Sequence, residues 1–217
     1  MEFDQKEIET GKKFFLGTSF YLTSATNRRN LPENDLNEIA FAGRSNVGKS
    51  SLINALTNRK ALVHSSKAPG RTRKLNFFKI ETKSNNLILV DLPGYGYARA
   101  AKKEILAWGK LINFYFSQRR NLRTVCLLID SRREIYAHDF DMMDYLDDIG
   151  LSWTVILTKV DKVGQKYLLK KKIDILEKLK IKTASYPYVF ATSSTKNIGL
   201  EELRAYISSF ATKKIVL

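Results

Sequence analysis

Five short apolar runs punctuate the chain, at residues 39–42, 87–90, 125–129, 153–157 and 188–191. Each is continuous rather than alternating, which predicts parallel strands buried on both faces. Between them, apolar residues recur at helical spacing. Ile105, Trp108, Ile112 and Tyr115 make one stripe. Leu169, Ile173 and Leu176 make a second, and Leu200, Leu203, Ile207 and Phe210 a third. All three are expected to face the core. Residues 75–80 predict a further strand, with Asn76 and Lys79 marking a more exposed edge. This order is α/β, with helices on both faces of one sheet. Residues 1–36 fall outside the repeat. Phe14, Phe15, Phe20, Tyr21 and Leu22 predict an N-terminal extension that packs on the body. There is no internal repeat and no Pro/Gly/Ser-rich linker, so one domain is expected over 37–212, followed by a short tail at 213–217.

Composition narrows the class. A chain of 217 residues fits a single domain with a substantial core. One cysteine, Cys126, excludes a disulfide framework and a Cys-built zinc site. His64 and His138 are far apart and read as ordinary surface or turn residues. The N-terminus lacks a basic stretch followed by an apolar run, so no secretory signal is expected. No apolar run approaches the roughly 18 residues of a membrane span. A soluble chain follows; a cytoplasmic location is expected, and neither membrane nor DNA is expected as a partner.

Charge changes the picture further. Lys and Arg total 37 against 22 Asp and Glu, a net of +15. Residues 59–133 hold 17 basic and 4 acidic residues, so nearly all the excess lies there. An anionic polymer is the natural partner of such a stretch. The run Lys170, Lys171, Lys172 reads as a solvated face.

The first strand leads into Gly43-Arg44-Ser45-Asn46-Val47-Gly48-Lys49-Ser50, a GxxxxGKS phosphate loop, and then a helical pattern through Leu52, Ile53 and Leu56. Its glycines let backbone amides and the helix N-terminus face phosphate. Lys49 is expected to reach the β- and γ-phosphates and Ser50 to coordinate Mg²⁺. The run 87–90 ends in Asp91, which begins the DxxG segment Asp91-Leu92-Pro93-Gly94. An apolar strand ending in Asp is the expected partner for Mg²⁺, through water. Gly94 would offer its amide to the γ-phosphate.

The fourth run ends in Thr158-Lys159-Val160-Asp161, a TKxD. Asp161 can accept from guanine N1–H and the 2-amino group; adenine offers neither donor, and rejection of about 10⁴-fold is attainable on such grounds. Lys159 would lay its stem along the base and brace the phosphate loop. Thr158 would supply a hydroxyl where Asn is commoner. Thr192-Ser193-Ser194 loosely matches a loop whose amides meet guanine O6; it also suits a helix cap, and both can hold.

Between the phosphate loop and the 75–80 strand lies Gly70-Arg71-Thr72-Arg73-Lys74, with Thr72 the candidate second protein ligand of Mg²⁺. With GRSNVGKSSLIN (43–54), PGRT (69–72), DLPGYGYA (91–98), TKVDK (158–162) and TSS (192–194), the chain resembles the EngB family of bacterial ribosome-biogenesis GTP-binding proteins over residues 15–212. The resemblance implies a Ras-like P-loop GTPase fold: a six-stranded, mostly parallel sheet with one antiparallel edge strand. It implies GTP and GDP as ligands of the motif residues above, with Mg²⁺ on Ser50 and Thr72. It implies a role in large-subunit assembly, with the precursor particle and its RNA as partners, and a link to cell division and septation. A monomer is expected.

Lys49, Thr72, Gly94 and Asn46 are the candidate catalytic residues. Small GTPases orient the attacking water with Gln after DxxG; here that residue is Tyr95, so slow intrinsic turnover is expected. Asn46 either helps recruit K⁺ near the phosphates or shapes the loop. Arg71 and Arg99 could act as fingers in cis or contact RNA. The alternative function is a non-hydrolysing RNA-binding module that uses GTP as a structural ligand; a P-loop ATPase and a septum-associated protein are the other readings.

Overall fold

The structure, a computed structural model, describes residues 3–63, 74–95 and 102–213, with backbone alone for 102–108. Helix α1 (Gln5–Phe15) starts at Asp4, whose carboxylate accepts from Glu7 N–H while Glu7 reaches back to Asp4 N–H. Strand β1 (Thr18–Ala25) follows, then β2 (Glu38–Gly43), α2 (Lys49–Leu56), β3 (Leu75–Glu81) and β4 (Asn85–Asp91). The second half alternates α3 (Lys102–Gln118), β5 (Leu122–Asp130), α4 (Ala137–Asp148), β6 (Trp153–Thr158), α5 (Gln165–Leu179), β7 (Ser185–Ala191), α6 (Leu200–Ser208) and a two-residue β8 (Thr212–Lys213).

The sheet order is β1-β3-β4-β2-β5-β6-β7, with β8 pairing β4. Strands β4, β2, β5, β6 and β7 run parallel. All five apolar runs lie in these strands, and β2 and β6 are buried at every position. Side chains alternate between two cores. Ile88, Val90, Phe77 and Trp153 face the side covered by α3, α4 and α5. Leu87, Leu89, Phe78 and Phe41 face the side covered by α1, α2 and α6. Helices on both faces are therefore as expected for a Ras-like α/β sheet.

The six-strand expectation is short by two. Residues 18–25 pair antiparallel with β3, and β8 pairs antiparallel with the start of β4, at Asn85 and Asn86. Strand β3 is antiparallel to β4 but is covered by β1, so it is not the edge. The edge is β1 itself. Phe20, Tyr21 and Leu22 lie exposed on it, while Phe14 and Phe15 of α1 are buried.

Helix α5 corrects a second expectation. Leu169 and Ile173 are 62% and 50% exposed. Leu176, the third member of the expected stripe, does pack against the core, but the inner stripe there is Leu168, Lys171, Ile175 and Leu179, an equally good helical spacing. Lys171 breaks the apolar pattern, and it is not part of a solvated face. Its Nζ donates to Ser131 O at 3.2 Å and also to Arg133 O, closing carbonyls that follow β5. Ile112 and Tyr115 of the α3 stripe are buried, as are Leu200, Leu203 and Ile207 of α6. Ile105 and Trp108 fall where side chains are not described.

Candidate functional site

The C-terminal ends of β2, β4, β6 and β7 place the predicted site along one rim of the sheet. The loop after β2 is held from below. Val47 is buried, and Thr158 Oγ1 donates to Val47 O at 2.7 Å. A hydroxyl at position 158 thus ties the base loop to the phosphate loop. Lys159, in a left-handed conformation, donates through Nζ to Asn46 O at 2.7 Å. Asn46 itself has φ 64°, so it shapes the loop whatever else it does.

Gly48 precedes α2 with φ 111°, a left-handed conformation that favours glycine. No side chain caps α2, so its first-turn N–H groups stay available to an anion. Lys49 and Ser50 begin that helix. Ser50 Oγ lies 3.4 Å from Asp91 Oδ2. Asp91 Oδ1 is buried without a hydrogen-bond partner. Burial pushes the Asp91 carboxyl up to about 6, against the pull of Lys49 and the Ser50 hydroxyl. Burial likewise lowers the Lys49 ammonium, with Asp91 opposing. A buried orphan carboxylate oxygen beside a serine hydroxyl suits a hard divalent cation.

The DxxG segment runs alongside the phosphate loop. Leu92 N–H donates to Phe41 O at 3.1 Å, and Leu92 is buried. Past Pro93, Gly94 lies so close to Ser45 that a Cβ on it would come within 2.8 Å of the Ser45 Cα and N. Only glycine fits there. The flank of the loop opens on a cavity of about 270 Å³ between Arg44, Asn46, Asp130, Tyr136 and Lys159. Lys49, Ser50 and Asp91 do not line it, so it is not the phosphate cradle.

At the base end, Ser193 Oγ donates to Asp161 Oδ1 at 2.6 Å. That bond, chiefly, holds the Asp161 carboxyl below its ordinary range. Asp161 Oδ2 is paired with the ammonium of the exposed Lys162 side chain at 3.3 Å. A carboxylate oxygen has more than one lone pair, so Oδ2 keeps capacity to accept where guanine would donate. Val160 is buried and its N–H donates to Thr192 O. The Thr192 and Ser193 amides are already spent, on Leu157 O at 2.7 Å and Ile198 O at 3.0 Å. Neither can meet guanine O6. Ser194 keeps its N–H unpaired among the described residues, so the expected amide role falls to it alone.

Gly70, Arg71, Thr72 and Arg73 lie outside the described residues, as do His64 and Arg99. Lys74 is exposed just before β3, and the exposed His138 sits near Asp141. Asp130 was not singled out from the sequence, yet it holds Lys159 Nζ at 2.8 Å. Against desolvation, hydrogen bonds from Arg132 and Lys159 keep its carboxyl well below the usual range. Its signal was available: like Asp91, it is an Asp that ends an apolar strand.

Fold and site together define a P-loop GTPase. Residues 38–159 match the family described as 50S ribosome-binding GTPase. A probable GTP-binding protein EngB of Hyphomonas neptunium is 46% identical over 211 residues, covering 97% of this chain and 96% of the relative. The corresponding protein of Allorhizobium ampelinum is 49% identical over 182 residues, covering 81% and 83%. The crystal structure of a probable GTP-binding protein engB superposes with TM-score 0.61 at 26% identity, covering 80% of this chain and 97% of that one. Era bound to MgGDPNP and a segment of 16S ribosomal RNA shares the fold, at TM-score 0.66 and 23% identity, over 83% of this chain and 58% of that one. The chain belongs to the EngB family of GTP-binding proteins. Among the described residues no helix is long and apolar enough to cross a membrane.

Proposed function

We propose that this GTPase binds GTP and GDP with Mg²⁺, hydrolyses GTP slowly, and acts as a monomeric, cytoplasmic switch in large ribosomal subunit assembly. Normal cell division and septation would depend on that supply of ribosomes. The observation that carries the nucleotide reading is the pair of motif carboxylates with acceptor capacity to spare, Asp161 Oδ2 beside an exposed ammonium at the base end and the unpartnered Asp91 Oδ1 at the phosphate end.

Lys49 would hold the β- and γ-phosphates and the first turn of α2 the β-phosphate. Ser50 and Thr72 would hold Mg²⁺, with Asp91 behind a water; bound there, the ion neutralises phosphate charge. Water attacks the γ-phosphorus in line, the bond to the β–γ bridging oxygen breaks, and GDP and phosphate leave. Gly94 N–H would steady the γ-phosphate. Asn46 leaves room for K⁺ as a further positive charge. The basic stretch 59–133 contains both loops that would respond to nucleotide, which supports RNA contact under nucleotide control.

Purified protein should co-sediment with large-subunit precursors in the presence of a non-hydrolysable GTP analogue and release them with GDP. Single-turnover rates should rise with such particles and be higher in K⁺ than in Na⁺ at equal ionic strength. Equal co-sedimentation with both nucleotides would sink the switch. Tyr95 favours a second reading, an RNA-binding module that holds GTP without hydrolysing it; an absence of turnover with particles would select it.

Asp91 adds a pH signature. Its folded value of about 6 lies above the ordinary 3.8. Between those values the native state holds a proton that the unfolded chain releases, so this group withdraws stability as pH rises through that window. Binding Mg²⁺ requires the charged form. The tightening of GDP by Mg²⁺ should therefore be weaker at pH 5.5 than at 7.5. The same titration on Asp91→Asn corrects for the phosphate's own protonation; an unchanged slope in that variant would refute the assignment.

A further inference from the structure

We propose that Tyr95 and Asp139 form a clasp that positions the Gly94 peptide for the γ-phosphate, so that residue 95 serves discrimination between GTP and GDP. The inference rests on the guanine-nucleotide reading above. Tyr95 directly follows DxxG, yet its side chain turns into the protein and is only 9% exposed. Its hydroxyl donates to Asp139 Oδ1 at 2.8 Å, and Asp139 is 2% exposed. The other carboxylate oxygen accepts from Tyr136 N–H at 3.1 Å, where α4 begins. A hydroxyl committed in this way is not at hand to orient water on the γ-phosphorus.

The backbone of the same residue is pinned on the opposite side. Tyr95 N–H donates to Gly43 O, and Tyr95 O accepts from Ser45 N–H, both at 3.3 Å. Gly94 is thereby pressed on Ser45, and its own N–H has no partner among the described residues. One unpaired donor, fixed by neighbours on both sides, is a preorganised contact for developing phosphate charge. Arg44 joins the same clasp: its guanidinium lies 4.1 Å over the Tyr136 ring, tying the residue after Gly43 to the start of α4.

Phenylalanine would fill the same space, so packing alone does not call for the hydroxyl. Without it, the buried Asp139 oxygen loses its donor, which is costly for a carboxylate. The phenol therefore acts as a tether between α4 and the DxxG segment, and through it Tyr95 is a positioning residue.

The test is binding of GDP and of a non-hydrolysable GTP analogue to Tyr95→Phe, Asp139→Ala and the double variant, with melting in GDP as the check on folding. Each single variant should bind the analogue about tenfold more weakly and GDP less than about twofold more weakly. The double variant should lose no more than Asp139→Ala alone, because that variant already breaks the bond that Tyr95→Phe removes. Equal weakening for the two nucleotides, no weakening, or additive losses would overturn the clasp. If Asp139→Ala fails to fold, Tyr95→Phe decides alone on the analogue-to-GDP ratio. Failure of the unaltered protein to bind GDP would instead overturn the underlying nucleotide reading, and the clasp with it.

Discussion

Asp161→Asn is expected to weaken GDP binding by about a thousandfold or more and to make the xanthine diphosphate the better ligand. Asp161 gives one oxygen to Ser193 and leaves Oδ2 to the exposed Lys162 ammonium. Guanine would compete for that carboxylate with N1–H and the 2-amino group. An Asn presents an amide NH₂ in place of one oxygen, so it faces the guanine amine donor to donor. Xanthine carries a carbonyl at the same carbon and accepts from that amide. Competition of fluorescent GDP against GDP, XDP and ADP reads the result directly. Retained GDP affinity in the variant would mean that the base does not sit on Asp161.

The second large effect concerns stability at the opposite end of β2. Glu38 is 0% exposed and opens that strand. It accepts from Tyr115 Oη at 2.9 Å and from Asn34 Nδ2 at 3.1 Å, and pairs with the Arg119 guanidinium at 2.6 Å. Burial and the Glu38 charge push the Tyr115 phenol well above its ordinary value. Arg119→Ala strands a buried charge, which typically costs about 3–5 kcal/mol. For a domain of this size the melting temperature should fall by about 10 °C. Replacing Glu38 and Arg119 together by Met, with Tyr115→Phe to remove the hydroxyl that would lose its acceptor, should recover most of the loss, since an apolar cluster carries no desolvation penalty. Thermal unfolding by circular dichroism measures both. GDP affinity should stay within about twofold, because the network lies a strand length away from the phosphate loop. A small shift in Arg119→Ala would show that water or another donor already serves Glu38.

These two sites differ in how far the sequence announced them. Asp161 stands in a contiguous motif at the end of an apolar run, so spacing alone pointed to it. The central strands were equally plain, because burial on both faces leaves an unbroken apolar run. Glu38 has its partner Tyr115 77 residues away, and Tyr95 finds Asp139 44 residues away. Such pairings are made by topology and leave no local trace. Strand β1 was hidden for a related reason: it covers one edge of the sheet and carries exposed apolar side chains, so neither alternation nor continuity marks it. In α5 two stripes satisfied the same spacing, and Lys171 disguised the true one by contributing a capping ammonium where an aliphatic side chain is expected.

The packing of α1 on α6 carries a consequence for how the chain is made. Gly11 of the first helix faces the backbone at Ala205, near the far end of the chain, and Asn37 is held by Phe210 O and Thr212 Oγ1. During synthesis, the first helix emerges with its apolar face uncovered and keeps it so until residues 200–208 follow. Contacts this distant in sequence form late. The central strands can be built in order, whereas the α1–α6 contact must wait for residues 200–208.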